Sequence, residues 1–310
     1  MSNIPARLIA FVAACLACGA AAAEVPRVVT DVAPVQSLVA RAMEGLGEPA
    51  MLVQPGTSPH SYTLRPSDAQ ALQQADLVVW IGPTLTPWLA RPIASLAEQA
   101  EILPLLEQEG TIRLPLRAQE DFLAQDQGEE PAGHDHGTFD PHAWLDPENG
   151  KRWLTVIAEA LQRLDPENAE TYAANAEAGR AEIDAATAET AQALQPVRGL
   201  RYIVFHDAFH YFEDRFDMPA AGAVALSDAT DPGPARLQAL KQEVADLDVT
   251  CALAEPQFDP GLLESVIEGS GARIRLIDPL ASRIEPGPDL YPQMLRSLGA
   301  ELAACAEEGA

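Results

Sequence analysis

A chain of 310 residues with 47% hydrophobic content is long enough for two domains of ordinary size, each with a core. Its 46 Asp and Glu outnumber its 20 Lys and Arg, giving a net charge of −26. A surface this acidic repels phosphate backbones and anionic bilayers, which excludes nucleic acid and acidic membrane faces as partners, and it draws cations inward. The first 23 residues hold one charge, Arg7, followed by the apolar run Leu8 to Ala17 and small residues up to Ala23. That is the plan of a cleaved secretory signal, with the cut expected between Ala23 and Glu24. The run is too short to span a bilayer. A lipid anchor at Cys18 would call for a larger aliphatic residue where Cys15 stands, so none is expected.

Arg27 to Thr30 reads as a strand, and Ala33 to Leu46 as a helix with apolar residues at Val35, Leu38, Val39 and Ala42, stopped by Gly47. Met51-Leu52-Val53 predicts a second strand, and a loop from Gln54 to Tyr62 follows, carrying His60. Ser67 is expected to cap a helix running to about Ala75, with Asp68 in its first turn. Leu77 to Ile81 is a continuous apolar run, as in a strand buried on both faces. Residues 118–138 are acidic and loosened by Gly128 and Gly133, which predicts a mobile solvated loop, and they include His134 and His136.

Asp140-Pro141-His142-Ala143-Trp144-Leu145-Asp146-Pro147 is a stiff segment. Each Pro fixes its own φ and pushes the residue before it toward an extended conformation, so the His142 ring is held at one angle. A helix from Asn149 shows an apolar stripe at Trp153, Val156, Ile157, Ala160, Leu161 and Leu164. Asp165-Pro166 starts another, with Asp165 as N-cap, and no strong breaker comes before Pro196. Its 30 or so residues span roughly 45 Å and are only weakly amphipathic, which suits a strut between domains better than a core element.

The second half repeats the β/α plan without repeating the sequence. Strands are expected at 201–205, 221–226, 250–254 and 273–277, with helices at about 231–245, 260–269 and 292–307. The fold class is therefore α/β, with parallel sheets covered on both faces. The expected division is a signal at 1–23, an N-terminal lobe at 24–164, a linking helix at 165–196 and a C-terminal lobe at 197–310.

His60, His206 and Asp278 each follow a predicted strand, and ligands in open parallel sheets sit outside the carboxyl ends of strands. With His142 they make a candidate metal site in a cleft between the lobes. Three imidazoles and a carboxylate suit Zn²⁺, whereas Mn²⁺ leans toward more oxygen donors. Glu255, at the end of another strand, is a candidate hydrogen-bond partner for a ligating imidazole, with Asp207 and Asp146 as weaker ones. His210 stands four residues after His206 and would share a helix face with it, yet the surrounding Phe205, Phe209 and Phe212 point to packing. His134 and His136 could hold a metal loosely. Loss of the signal leaves two cysteines, Cys251 and Cys305, which in an exported chain pair as one disulfide tying the last helix to a strand.

Five segments together resemble the zinc-specific periplasmic solute-binding proteins of ABC importers, the cluster A-I, ZnuA-like class. They are Pro59-His60-Ser61-Tyr62 with Pro66-Ser67-Asp68, the Asp140 to Pro147 segment, Phe205 to Phe209, Glu255-Pro256-Gln257-Phe258, and Leu276 to Leu280. The resemblance implies two β/α lobes joined by one long helix, metal ligands at His60, His142, His206 and Asp278, Zn²⁺ as cargo, and a membrane permease as partner of a monomeric periplasmic protein. It implies no catalysis, and the chain has no H-E-x-x-H. Manganese- and iron-binding members of the class are the alternative, and a zinc hydrolase a more distant one. Manganese relatives carry Glu where this chain has His206, which favours zinc. The chain departs from zinc members in its His-poor loop and in having Pro59 where some carry an acid before the first ligand.

Overall fold

The computed structural model describes residues 25–117, 139–225 and 233–307. The expected signal, the possible anchor at Cys18 and the acidic loop with His134 and His136 lie outside these residues. Two four-stranded parallel sheets carry the fold. The first comprises β1 (Val28–Thr30), β2 (Ala50–Met51), β3 (Leu77–Trp80) and β4 (Glu101–Pro104), in the order β2-β1-β3-β4. The second comprises β5 (Tyr202–His206), β6 (Gly222–Ala225), β7 (Cys251–Ala254) and β8 (Arg273–Leu276), in the order β6-β5-β7-β8. Each order reverses beside the first strand, so each sheet opens a crevice at its carboxyl edge.

The helices are α1 (Ala33–Ala42), α2 (Pro66–Gln74), α3 (Ala90–Leu96), α4 (Pro147–Leu164) and α5 (Ala169–Leu194) in the first part. Then come α6 (His210–Phe216), α7 (Pro234–Asp246), α8 (Gly261–Ile267) and α9 (Leu290–Glu307). None of the described helices is long and apolar enough to cross a membrane. The start of α2 corrects one expectation. Arg65 is the N-cap residue, Pro66 opens the helix, and the Asp68 carboxylate turns back to accept Arg65 N at 2.8 Å, leaving Ser67 inside the first turn. Strand β4 and helix α3 had no clear sequence signal. Of β4 only Leu103 is buried, and Pro104 ends it, so its pattern reads as loop.

Successive strand residues point to opposite faces and sort into separate cores. Val29, Val78 and Trp80 face an outer cluster of the first sheet, and Ile203, Phe205 and Val224 an outer cluster of the second. Val28, Leu77, Val79, Val204 and Leu253 face inward and join one continuous core with α1, α4, α5 and α9. The long helix is thus more than a strut. Tyr172, Ala176, Gly179, Ile183, Ala186 and Leu194 make a narrow buried stripe, and small residues let neighbours approach closely. At Gly179 a Cβ would stand 2.8 Å from Arg41 Cγ and 3.0 Å from Leu154 Cδ1, which is why this position has none. Cys251 in β7 and Cys305 in α9 form the expected disulfide, 54 residues apart.

Candidate metal centre

His60 sits in a one-turn 3₁₀ segment, Pro59–Ser61. Ser58 Oγ caps the turn by accepting His60 N at 3.2 Å, and Trp88 Nε1 donates to Pro59 O at 2.7 Å. His142 is held more tightly. Asp140 Oδ1 accepts its backbone N at 2.9 Å and lies 2.7 Å from its Nδ1. Burial pushes the Asp140 carboxyl up to about 6, so it is largely ionised at neutral pH. An ionised carboxylate only accepts, so Nδ1 carries the hydrogen and Nε2 keeps its lone pair for a metal. Trp144 Nε1 donates to Pro279 O at 2.8 Å, pinning the same segment to the other lobe. His206 ends β5, and its Nδ1 lies 3.4 Å from Glu255 Oε1.

The three rings converge. His60 Nε2 and His142 Nε2 are 3.4 Å apart, and one nitrogen from each of His60, His142 and His206 lies within 4.8 Å of the other two. Zn–N bonds of 2.0–2.1 Å at a tetrahedral angle put two donors about 3.4 Å apart. The first pair already stands at that spacing. The cavity between the rings has a volume of ≈ 10 Å³ and is walled by Pro59, Trp144, Glu255, Gln257 and Leu280. That is about the space of one water or one ion. His142 and His206 are buried and His60 half-buried, so the site opens past His60.

Asp278 is not brought into this group. Its Oδ1 accepts Leu280 N at 3.2 Å, and its Oδ2 accepts Ser282 Oγ at 2.8 Å and Arg283 N at 3.3 Å. An Asp at the start of a turn satisfies the turn's own donors. Its neighbours Pro279 and Leu280 line the cavity instead. Glu255 lies near His206, at the 3.4 Å given above, and its other oxygen accepts Gln257 Nε2 at 2.8 Å. His206 and His210 do not share a helix face, because His206 closes a strand and α6 begins only at His210. His210 Nδ1 lies 3.9 Å from Asp140 Oδ2, and burial lowers its pKa. Asp146 caps α4 through Glu148 N and binds Arg215, and Asp207 binds Arg117, so neither carboxylate serves an imidazole. Asp140 is the residue the sequence reading passed over. Its signal was present as Asp-x-His, a spacing that lets one carboxylate bond both the backbone N and the ring two residues on.

A family model described as "ZnuA: Zinc-uptake complex component A periplasmic" matches residues 28–305. The chain is 45% identical over 304 residues to the high-affinity zinc uptake system protein ZnuA of Paracoccus denitrificans (strain Pd 1222), covering 92% of this chain and 93% of that protein. A crystal structure of ZnuA shares the fold with a TM-score of 0.74 and 25% identity, covering 90% of this chain and 98% of that one. A zinc-bound deletion mutant of ZnuA does so with a TM-score of 0.73 and 25% identity, covering 90% and 97%. By the extent of that match, the chain belongs to the ZnuA family of periplasmic zinc-uptake components.

Proposed function

We propose that His60, His142 and His206 bind one Zn²⁺ as cargo and that the chain delivers it to the membrane permease of an ABC importer. The observation that carries this is the spacing of the imidazole nitrogens, with His60 and His142 already at a tetrahedral edge. Three imidazoles favour zinc over manganese, whose sites are richer in oxygen. Asp140 at His142 and Glu255 near His206 orient the rings and raise their basicity. The fourth position falls to water or to Asp278, whose Oδ1 accepts only Leu280 N and keeps a lone pair. On this reading the chain is a carrier and not an enzyme, in keeping with its zinc-uptake relatives. The protein is a monomer exported by residues 1–23 and has no nucleic-acid partner. Its lobes are 24–164 and 197–310, joined by 165–196.

The test is zinc content and affinity of the purified mature protein by competition with a chromogenic chelator. The expected result is one tight Zn²⁺ per chain. His142→Ala should weaken it by more than the about 10–100-fold typical of losing only a ligand's hydrogen-bond partner. A site indifferent to His142 sinks the reading, and ester or peptide hydrolysis lost with His206→Ala would replace it with a zinc hydrolase.

A further inference from the structure

Behind the imidazoles, one arginine crosses between the lobes. Arg117 stands two residues after Pro115, which bridges Phe139 in an antiparallel pair just ahead of Asp140 and His142. Asp140 N donates to Leu114 O at 2.9 Å in the same pairing. The guanidinium belongs to the other lobe. Nε donates to Asp207 Oδ2 at 3.2 Å and Nη2 to Asp207 Oδ1, while Nη1 donates to Glu213 Oε2 at 2.6 Å and Nη2 to Glu213 Oε1 at 3.1 Å. Asp207 is the residue after His206, and Glu213 lies in α6 and also accepts Ala220 N at 3.2 Å. The three side chains are 3%, 6% and 3% exposed. A planar fork of five donors can hold two carboxylates in set directions at once, which the single point charge of a Lys cannot.

We propose that Arg117 is a positioning residue for the metal site: by gripping Asp207 and Glu213 from the lobe that carries His142, it fixes His206 at the spacing a small ion requires. This role rests on the zinc reading above.

The experiment compares wild type, Arg117→Lys and Arg41→Lys. Arg41 is the control, a largely buried arginine on α1 that joins Glu44, just past the end of α1, and Glu182 on α5. For each full-length mature protein, Zn²⁺ affinity, the visible absorption of the Co²⁺ form and the melting temperature without metal are measured. Arg117→Lys is expected to weaken Zn²⁺ about 10–100-fold, as losses behind a ligand do, and to shift the Co²⁺ bands. Arg41→Lys should lower the melting temperature while leaving affinity and bands unchanged. Wild-type affinity and bands in Arg117→Lys, even with a lower melting temperature, would overturn the role and leave only a lobe tie. If Arg117→Lys does not fold, Asp207→Asn supplies the same readouts, and wild-type values there overturn the role equally. Absence of tight zinc in the wild type would instead remove the metal site itself, and this role with it.

Discussion

Substituting Gly150 by Ala sets two physical effects against each other. Gly150 lies in the first turns of α4, where replacing Gly with Ala raises helix propensity by about 1 kcal/mol. Tertiary packing opposes it. A Cβ at Gly150 would stand 2.6 Å from Tyr291 Cζ and 2.8 Å from Cε1, inside van der Waals contact. Tyr291 is 1% exposed and its hydroxyl donates to Trp144 O at 2.6 Å, so the ring cannot retreat without breaking that bond. Overpacking costs about 1–3 kcal/mol, and stranding a buried carbonyl and hydroxyl about as much again. Against the propensity gain, the net loss is about 3 kcal/mol. Urea unfolding of the metal-free protein measures it. A Gly150→Ala variant as stable as wild type, or more so, would refute the reasoning by showing that the ring moves freely. The Trp144 carbonyl lies two residues beyond His142, so weaker zinc binding should accompany the loss of stability.

Removing the disulfide by Cys251→Ala with Cys305→Ala should cost roughly 4 kcal/mol for a closed loop of this length in the chain-entropy model, seen as a lower urea midpoint; an unchanged midpoint would mean that packing of α9 alone suffices. Asp31 provides a pH test. It is fully buried, accepts Val32 N and Ile81 N at 2.9 Å each, and burial pushes its carboxyl up to about 7. The folded chain thus holds this proton more tightly than the unfolded one. The group's contribution to stability is therefore lost as pH rises from about 4 to about 7. Each tenfold change in proton affinity corresponds to about 1.4 kcal/mol. Asp31→Asn should consequently gain on wild type by a few kcal/mol, on the order of 2–4, between pH 4.5 and pH 8 in unfolding titrations; a gap that stays flat with pH counts against the shifted carboxyl.

Strands with continuous apolar runs, such as Leu77 to Trp80 and Tyr202 to Phe205, were legible because each is buried on both faces and bounded by turns. Strand β4 was not, since its residues are half-exposed edge positions whose pairing with β3 is decided by backbone bonds rather than side-chain pattern. His60, His142 and His206 were legible from strand ends and the Asp-Pro frame. Asp278 was expected among them on family resemblance and strand position. Which way a carboxylate turns depends on local donors such as Ser282 Oγ, and no spacing rule reports that. Arg117 had no sequence signal either, because its partners lie about 90 residues away.

The inward faces of both sheets share one hydrophobic core with the long helix, and this bears on how the molecule behaves as a mechanical object. A hinge that opened the lobes would expose Tyr172, Ile183 and their neighbours to water, at roughly 25 cal/mol for every Å² of apolar surface uncovered. The two halves are therefore expected to melt in one transition, which calorimetry of the metal-free protein checks. An opening of the imidazole pocket that spares this core is confined to the loops at its mouth, such as the turn that carries half-buried His60.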